Sequence, residues 1–189
     1  KVEGESYICL IILVILIKLF MVNNYIKIAH VFLLVSTFIW SCDLDYLDIN
    51  NNCYYKKDIE FLEALIINSQ VGNNPPPYDL APLDLGWQYW NDGRLLEFCC
   101  STSTNTECRR DYELAGNIPL EIGNLTELQI ISLESNKLSG KLPMEIGNLV
   151  KLEELTLSSN NIRGKIPKEI GRMTSLKVLA LKGNNFSGD

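Results

Sequence analysis

The last third of the chain repeats itself every 24 residues, and this period limits the fold more than any other feature of the sequence. Asn136, Asn160 and Asn184 keep the spacing, as do Pro119, Pro143 and Pro167, and Gly123, Gly147 and Gly171. Gly116, Gly140, Gly164 and Gly188 form a further column. The apolar positions hold the same register, with Leu128, Leu152 and Leu176, then Ile131, Leu155 and Leu179, then Leu133, Leu157 and Leu181. A unit this short cannot bury its own apolar face, so successive copies must stack and share one continuous core.

Each recurring residue type has a mechanical task. Ile131 and Leu133 occupy alternate positions, as do Leu155 and Leu157, so each pair points inward from a short strand. Strands stacked about 4.8 Å apart build a parallel sheet on one face of a solenoid. The Asn ends the strand, and its amide carries the donors and the acceptor needed to satisfy backbone groups that a buried turn leaves unpaired. Gly140 and Gly164 permit tight backbone geometry after that turn, while Pro143 and Pro167 fix φ and stop the strand. The segment Glu145 to Leu149 is expected to form a short irregular or 3₁₀ turn on the opposite, convex side.

Two apolar runs open the chain, Tyr7 to Val22 and Ile28 to Trp40, separated by Asn23, Asn24 and Lys27. Neither reaches the ~20 apolar residues that a spanning helix prefers. The second run has the three parts of a secretory signal in order: a short positive segment from Met21 to Lys27, an apolar stretch to Trp40, and a small residue, Ser41, at a cleavage edge. Residues 1–20 are then an apolar leader or upstream translated sequence, and 21–41 a signal peptide. A membrane anchor formed by one or both runs is the alternative. Either reading puts the chain from about Cys42 onward outside the cytosol.

Charge and cysteines fit that compartment. Residues 42–108 carry a net charge of −8, and the flanking parts carry +1 each. No segment is strongly basic, so a nucleic-acid partner has no electrostatic footprint. The only histidine, His30, lies in the signal segment, so a mature chain holds none. That excludes Ser-His-Asp and Cys-His catalysis and any zinc site that uses imidazole. Cys53, Cys99, Cys100 and Cys108 bracket the acidic segment without the paired knuckles of a zinc site, which points to disulfides in an oxidising compartment and to no bound metal.

The runs L-S-G-K-L-P-M-E-I-G-N-L at 138–149 and I-R-G-K-I-P-K-E-I-G at 162–171 resemble the plant-type leucine-rich repeat, which is marked by L-x-G-x-I-P-x-x-I-G after the Asn. The resemblance covers residues 111–189. It implies an α/β fold, a leucine-rich repeat solenoid with a short parallel sheet on its concave face, behind a helical, disulfide-bonded amino-terminal cap at 42–110. Such repeats are familiar in receptor-like kinase ectodomains, receptor-like proteins and polygalacturonase-inhibiting proteins. The cap of those proteins is matched here by Cys53, an amphipathic segment at 58–67 with Phe61, Leu62, Leu65 and Ile66 at helical spacing, Trp90-Asn91, Cys99-Cys100 and Cys108. It departs from them at Ser101 to Thr106, which replaces a W-x-G-V segment, and at Arg109 to Glu113, where a strand is shortened. By resemblance, Cys53 pairs with Cys99 and Cys100 with Cys108. The array stops inside a repeat, which reads as a carboxy-terminal truncation.

What the resemblance implies is an extracellular scaffold for protein or peptide recognition, part of a receptor-like ectodomain or a secreted inhibitor, and not an enzyme. It needs no cofactor and meets a membrane only through the leader or a missing downstream segment. The alternative is a truncated structural remnant with no ligand. Strand alternation turns Ile130, Ser132 and Glu134, then Glu154, Thr156 and Ser158, then Val178, Ala180 and Lys182 to solvent, and these are the candidate ligand-binding residues. Glu121, Glu145 and Glu169 form a carboxylate column, but identical convex turns give identical solvated carboxylates rather than a catalytic pair. Trp87, Tyr89 and Trp90 read as cap core in preference to a sugar platform. Asn124 and Asn185 stand in N-glycosylation sequons.

Overall fold

The computed structural model describes residues 42–102, 108 and 110–188. The chain divides into two compact units, Lys1–Cys42 and Asp43–Asp189. The leader and signal readings at 1–41 lie outside the described residues.

The second unit opens on a hairpin. Strands β1 (Tyr46–Ile49) and β2 (Asn52–Tyr55) pair antiparallel. Their turn residues Asn50 and Asn51 both have positive φ, at 54° and 64°, the pair of left-handed conformations that a tight two-residue hairpin requires. Helix α1 (Lys56–Ser69) follows at once and contains the amphipathic segment read from the sequence. Phe61, Leu62 and Leu65 are fully buried and Ile66 nearly so, while Glu60 and Glu63 are exposed, as the 3.6-residue period demands. Asp58 faces inward in the first turn. Its carboxylate accepts from Arg94 Nε at 2.8 Å, from Arg94 Nη2 at 3.1 Å and from the Leu95 amide at 2.9 Å. This buried pair ties the helix to the next hairpin, and Arg94 also stacks 4.2 Å from the Tyr55 ring centroid.

That hairpin consists of β3 (Trp87–Asn91) and β4 (Arg94–Cys99), joined at Asp92 and Gly93, both with positive φ. It is the main departure from the sequence reading, which matched Trp90-Asn91 to the cap without a strand and put a shortened first strand at Arg109 to Glu113. Strand β4 instead pairs in parallel with β6 (Ile130–Ser132), then β8 (Glu154–Thr156) and β10 (Val178–Ala180), giving a five-stranded sheet in the order β3, β4, β6, β8, β10. The cap therefore contributes the first two strands of the sheet. Terminal units of a solenoid must cover its open cross-section, and here Leu95, Phe98 and helix α1 do so.

Behind the sheet the repeats run as expected. After each Asn a second, shorter ladder forms: β5 (Ala115–Asn117) with β7 (Lys137–Ser139), and β9 (Arg163–Gly164) with β11 (Asn185–Phe186). Then comes a 3₁₀ turn after each Pro, at Leu120–Asn124, Met144–Asn148 and Lys168–Arg172. Gly147 sits where an added Cβ would stand 2.5 Å from the Glu169 carbonyl oxygen, so the glycine column lets successive turns close on each other. Leu128, Ile131, Leu133, Leu152, Leu155 and Leu157 are all fully buried. Leu179, expected to point into this core, is 42% exposed because β10 is the edge strand and nothing described packs beyond it.

The asparagine column does more than end the strands. Asn136 Oδ1 accepts from the Leu114 amide at 2.9 Å, and its Nδ2 donates to the carbonyls of Cys100, Leu133 and Glu134. Asn160 repeats this with the Leu138 amide and the carbonyls of Leu133, Leu157 and Ser158. Asn184 does so with Ile162, Leu157 and Leu181. Each amide thus reaches from its own repeat to the preceding rung. Ion pairs between residues one period apart, Lys151 with Glu127 and Lys177 with Glu153, add a second inter-repeat register on the surface.

The disulfides differ from the expected pairing. Cys99 bonds Cys108, Cys100 is a buried free thiol, and Cys42 and Cys53 are each disulfide-bonded. Strand alternation supplies the reason. Phe98 and Cys100 turn into the core, where Cys100 is fully buried, so only Cys99 faces the returning chain. Burial pushes the Cys100 thiol up to about 12, slightly offset by the nearby Arg110 charge.

Candidate functional site

The candidate surface is the outward face of the five-stranded sheet. The register of its pairs fixes which side chains stand beside one another. One transverse row runs Tyr89, Glu97, Ile130, Glu154, Val178. A second runs Trp87, Cys99, Ser132, Thr156, Ala180. Glu134, Ser158 and Lys182 lie two residues further along their chains, beyond the paired segments of β6, β8 and β10.

The first row is open along its length. Tyr89 is 48% exposed and Val178 45%, and Glu97, Ile130 and Glu154 are each partly exposed. The second row is closed at the cap end, where Cys99 is consumed by its disulfide, and nearly closed at the centre. Thr156, expected to face solvent, is only 9% exposed: it lies on an inner strand between Ser132 and Ala180 in register, and its hydroxyl donates to Glu154 Oε1 at 3.2 Å. Lys182 gives the Glu134, Ser158, Lys182 group a cation at its last strand.

The sequence reading found Ile130, Glu154 and Val178 but missed Tyr89 and Glu97, which extend the same row onto the cap. The signal was present in Asp92-Gly93, a dipeptide suited to a two-residue hairpin, flanked by W-Q-Y-W and R-L-L-E-F. The aromatic trio does not form one platform. Trp90 packs against the core, edge-on to Tyr54 at 5.0 Å between centroids, and its indole N–H donates to Gln88 Oε1 at 2.9 Å. Tyr89 turns the opposite way, to solvent.

The other candidates lie elsewhere. Glu121, Glu145 and Glu169 sit partly exposed on the 3₁₀ turns, each of the last two against the glycine of the turn before it. Asn124 is half-buried at the end of its turn and Asn185 is exposed in β11. Surface cavities of about 420 Å³, against Asn52, Tyr54 and Trp90, and about 240 Å³, against Lys165 and Phe186, include no outward residue of the sheet. Among the described residues no cluster of His, Cys, Asp and Glu has the makings of a metal site, and no helix is long and apolar enough to cross a membrane.

Comparison with known proteins agrees with this architecture. The Leucine Rich Repeat family matches residues 127–149 and 151–173. The fold is similar to the receptor in a PEPR1–AtPEP1 complex, with 25% identity and a TM-score of 0.54, covering 70% of this chain and 19% of that one. It is equally similar to the ectodomain of the receptor kinase SOBIR1 from Arabidopsis thaliana, at 25% identity and a TM-score of 0.52, covering 71% of each chain. A third similar structure is the Arabidopsis receptor kinase HAESA with the peptide hormone IDA and the co-receptor SERK1, at 25% identity and a TM-score of 0.51, covering 69% of this chain and 22% of that one. A comparison of the sequence with curated proteins found no match. With the period, the asparagine column, the second ladder and the 3₁₀ turns all in place, residues 127–149 and 151–173 are leucine-rich repeats, similar in build to those of the plant receptor-kinase ectodomains.

Proposed function

We propose that the chain is an extracellular recognition scaffold, the start of a receptor-like ectodomain or a secreted inhibitor of the same build. It binds a protein or peptide on the outward face of the five-stranded sheet, without catalysis, cofactor or nucleic acid. The observation that carries this reading is the open face itself, which presents carboxylates, hydroxyls, aliphatic groups and a tyrosine on a rigid, hydrogen-bonded frame. A mixed surface of this kind suits a peptide or protein better than a small molecule, which wants a concave apolar pocket. One of the similar receptors, HAESA, is described in complex with a peptide hormone, which is consistent with such a partner. Residues 21–41 act as the secretory signal in this reading, and Asn124 and Asn185 are available for glycosylation.

Photo-crosslinking tests the face. A photoreactive residue at Ser132, in protein exposed to extracellular fluid of the source tissue, should capture a discrete peptide or protein, whereas one at Lys168 on the 3₁₀ turn should not. The double substitution Glu154→Lys and Ser158→Lys should abolish capture and leave secretion and thermal stability unchanged. Loss of capture from changes at Glu145 and Lys168 instead would assign binding to the wrong face.

A further inference from the structure

We infer that the partner is an extended, cationic peptide in the polyproline II conformation, with basic side chains three residues apart, lying across the strands along the row that begins at Tyr89. The inference rests on the reading of the sheet as the ligand face and adds the chemistry of the occupant.

The row alternates in character from strand to strand: aromatic Tyr89, acidic Glu97, aliphatic Ile130, acidic Glu154, aliphatic Val178. Neighbouring strands lie about 4.8 Å apart, so the two carboxylates are separated by two strand spacings, about 9.6 Å. A polyproline II chain rises about 3.1 Å per residue with three residues per turn, which brings residues i and i+3 to one side about 9.3 Å apart. A β-strand offers same-side positions at about 6.6 Å and about 13 Å, and neither fits. The apolar residue between each pair of cations would then rest on Ile130, with Tyr89 and Val178 extending the contact at either end.

Charge complementarity selects this row and this sign. The cations near the row are already committed: Arg94 to buried Asp58, Lys151 to Glu127, and Lys177 to Glu153. Glu154 is met by the Thr156 hydroxyl, and Glu97 by no cation among the described residues. The second row lacks charge and is closed at Cys99, and Lys182 opposes a basic partner beyond the paired segments. Each carboxylate is partly exposed and has an apolar neighbour on either side in the row, so a bound ammonium or guanidinium can reach it while its stem rests on apolar surface.

The probes are synthetic octapeptides titrated into the secreted chain by fluorescence anisotropy at low salt: Pro-Pro-Lys-Pro-Pro-Lys-Pro-Pro, its counterpart with Glu for Lys, and an isomer with the lysines two apart. The first should bind saturably, at least tenfold tighter than the other two, and should weaken as salt rises. Glu97→Lys and Glu154→Lys should each lower its affinity at least tenfold without shifting the melting temperature, and Glu145→Lys should leave it unchanged. Equal binding of all three peptides, or indifference to both substitutions, would overturn the inference. A partner captured at Ser132 that the lysine peptide does not displace would overturn it too, yet leave the sheet as the ligand face. Absence of any capture at Ser132 would instead count against the face itself.

Discussion

Replacing Asn160 by Ala tests whether the asparagine column holds the stack together. The side chain is 5% exposed and makes four hydrogen bonds: it accepts from the Leu138 amide at 3.0 Å and donates to the carbonyls of Leu133 at 2.8 Å, Leu157 at 3.0 Å and Ser158 at 3.3 Å. The four losses are unequal. Leu138 is fully buried and its amide loses its side-chain acceptor, which costs about 1–3 kcal/mol. The Leu133 carbonyl keeps Asn136 Nδ2 at 3.1 Å and the Leu157 carbonyl keeps Asn184 Nδ2 at 2.8 Å, so each forfeits only a net bond of about 1 kcal/mol. The expected total is about 3–5 kcal/mol, which at about 2 kcal/mol per molar urea lowers the unfolding midpoint by about 1.5–2.5 M. Asn161→Ala next to it removes an exposed side chain and should fall within about 0.5 kcal/mol of the parent. Urea titrations followed both by circular dichroism and by the cap tryptophans Trp87 and Trp90 should lose structure together, because the column joins each rung to the one before. A midpoint shift under about 0.5 M for Asn160→Ala, or one equal to that of Asn161→Ala, would refute the reasoning.

Other outcomes follow from particular contacts. Gly147→Ala forces a Cβ to 2.5 Å from the Glu169 carbonyl oxygen and should cost about 1–3 kcal/mol by calorimetry, whereas Gly171→Ala, with nothing within 4 Å, should leave the melting temperature unchanged. Asp58→Ala strips the partner from Arg94 and from the Leu95 amide, and should destabilise by about 3–5 kcal/mol in urea. With its thiol at about 12, Cys100 should take no iodoacetamide in the native chain at pH 8 and one equivalent after unreduced unfolding. A label found on Cys99 instead would restore the pairing of Cys100 with Cys108. Amino-terminal sequencing of exported chain should begin near Cys42 or Asp43, and a return of Lys1 or Met21 would favour the anchor.

The repeats were legible because each recurring residue does one physical job in one place. Leu133 and Leu157 must be inward, Asn136 and Asn160 must satisfy the turn, and the Pro before each 3₁₀ turn must end the strand; period and residue type together leave one arrangement. The cap was half legible for the opposite reason, since nothing in it repeats. Helix α1 announced itself through Phe61, Leu62, Leu65 and Ile66, but β4 carries R-L-L-E-F-C, whose inward Leu95 and Phe98 are separated by an irregular step where Tyr89 gives way to Trp90 on the facing strand. That bulge breaks the two-residue alternation by which strands are recognised.

The same bulge decides the character of the face. Counted with strict alternation from Leu95, Glu97 would share the inward side and Phe98 would turn outward, leaving a carboxylate in the core where Phe98 packs. The extra residue on β4, Leu96, resets the phase, so that Trp90 stays against the core with Leu95 while Tyr89 and Glu97 emerge together on the outer side. Disulfide choice follows from that reset, because it is the reason Cys99 rather than Cys100 meets Cys108. The irregular cap hairpin and the regular repeats therefore present one continuous outward row across five strands, and a ligand that follows it must cross from cap to repeats without meeting a seam.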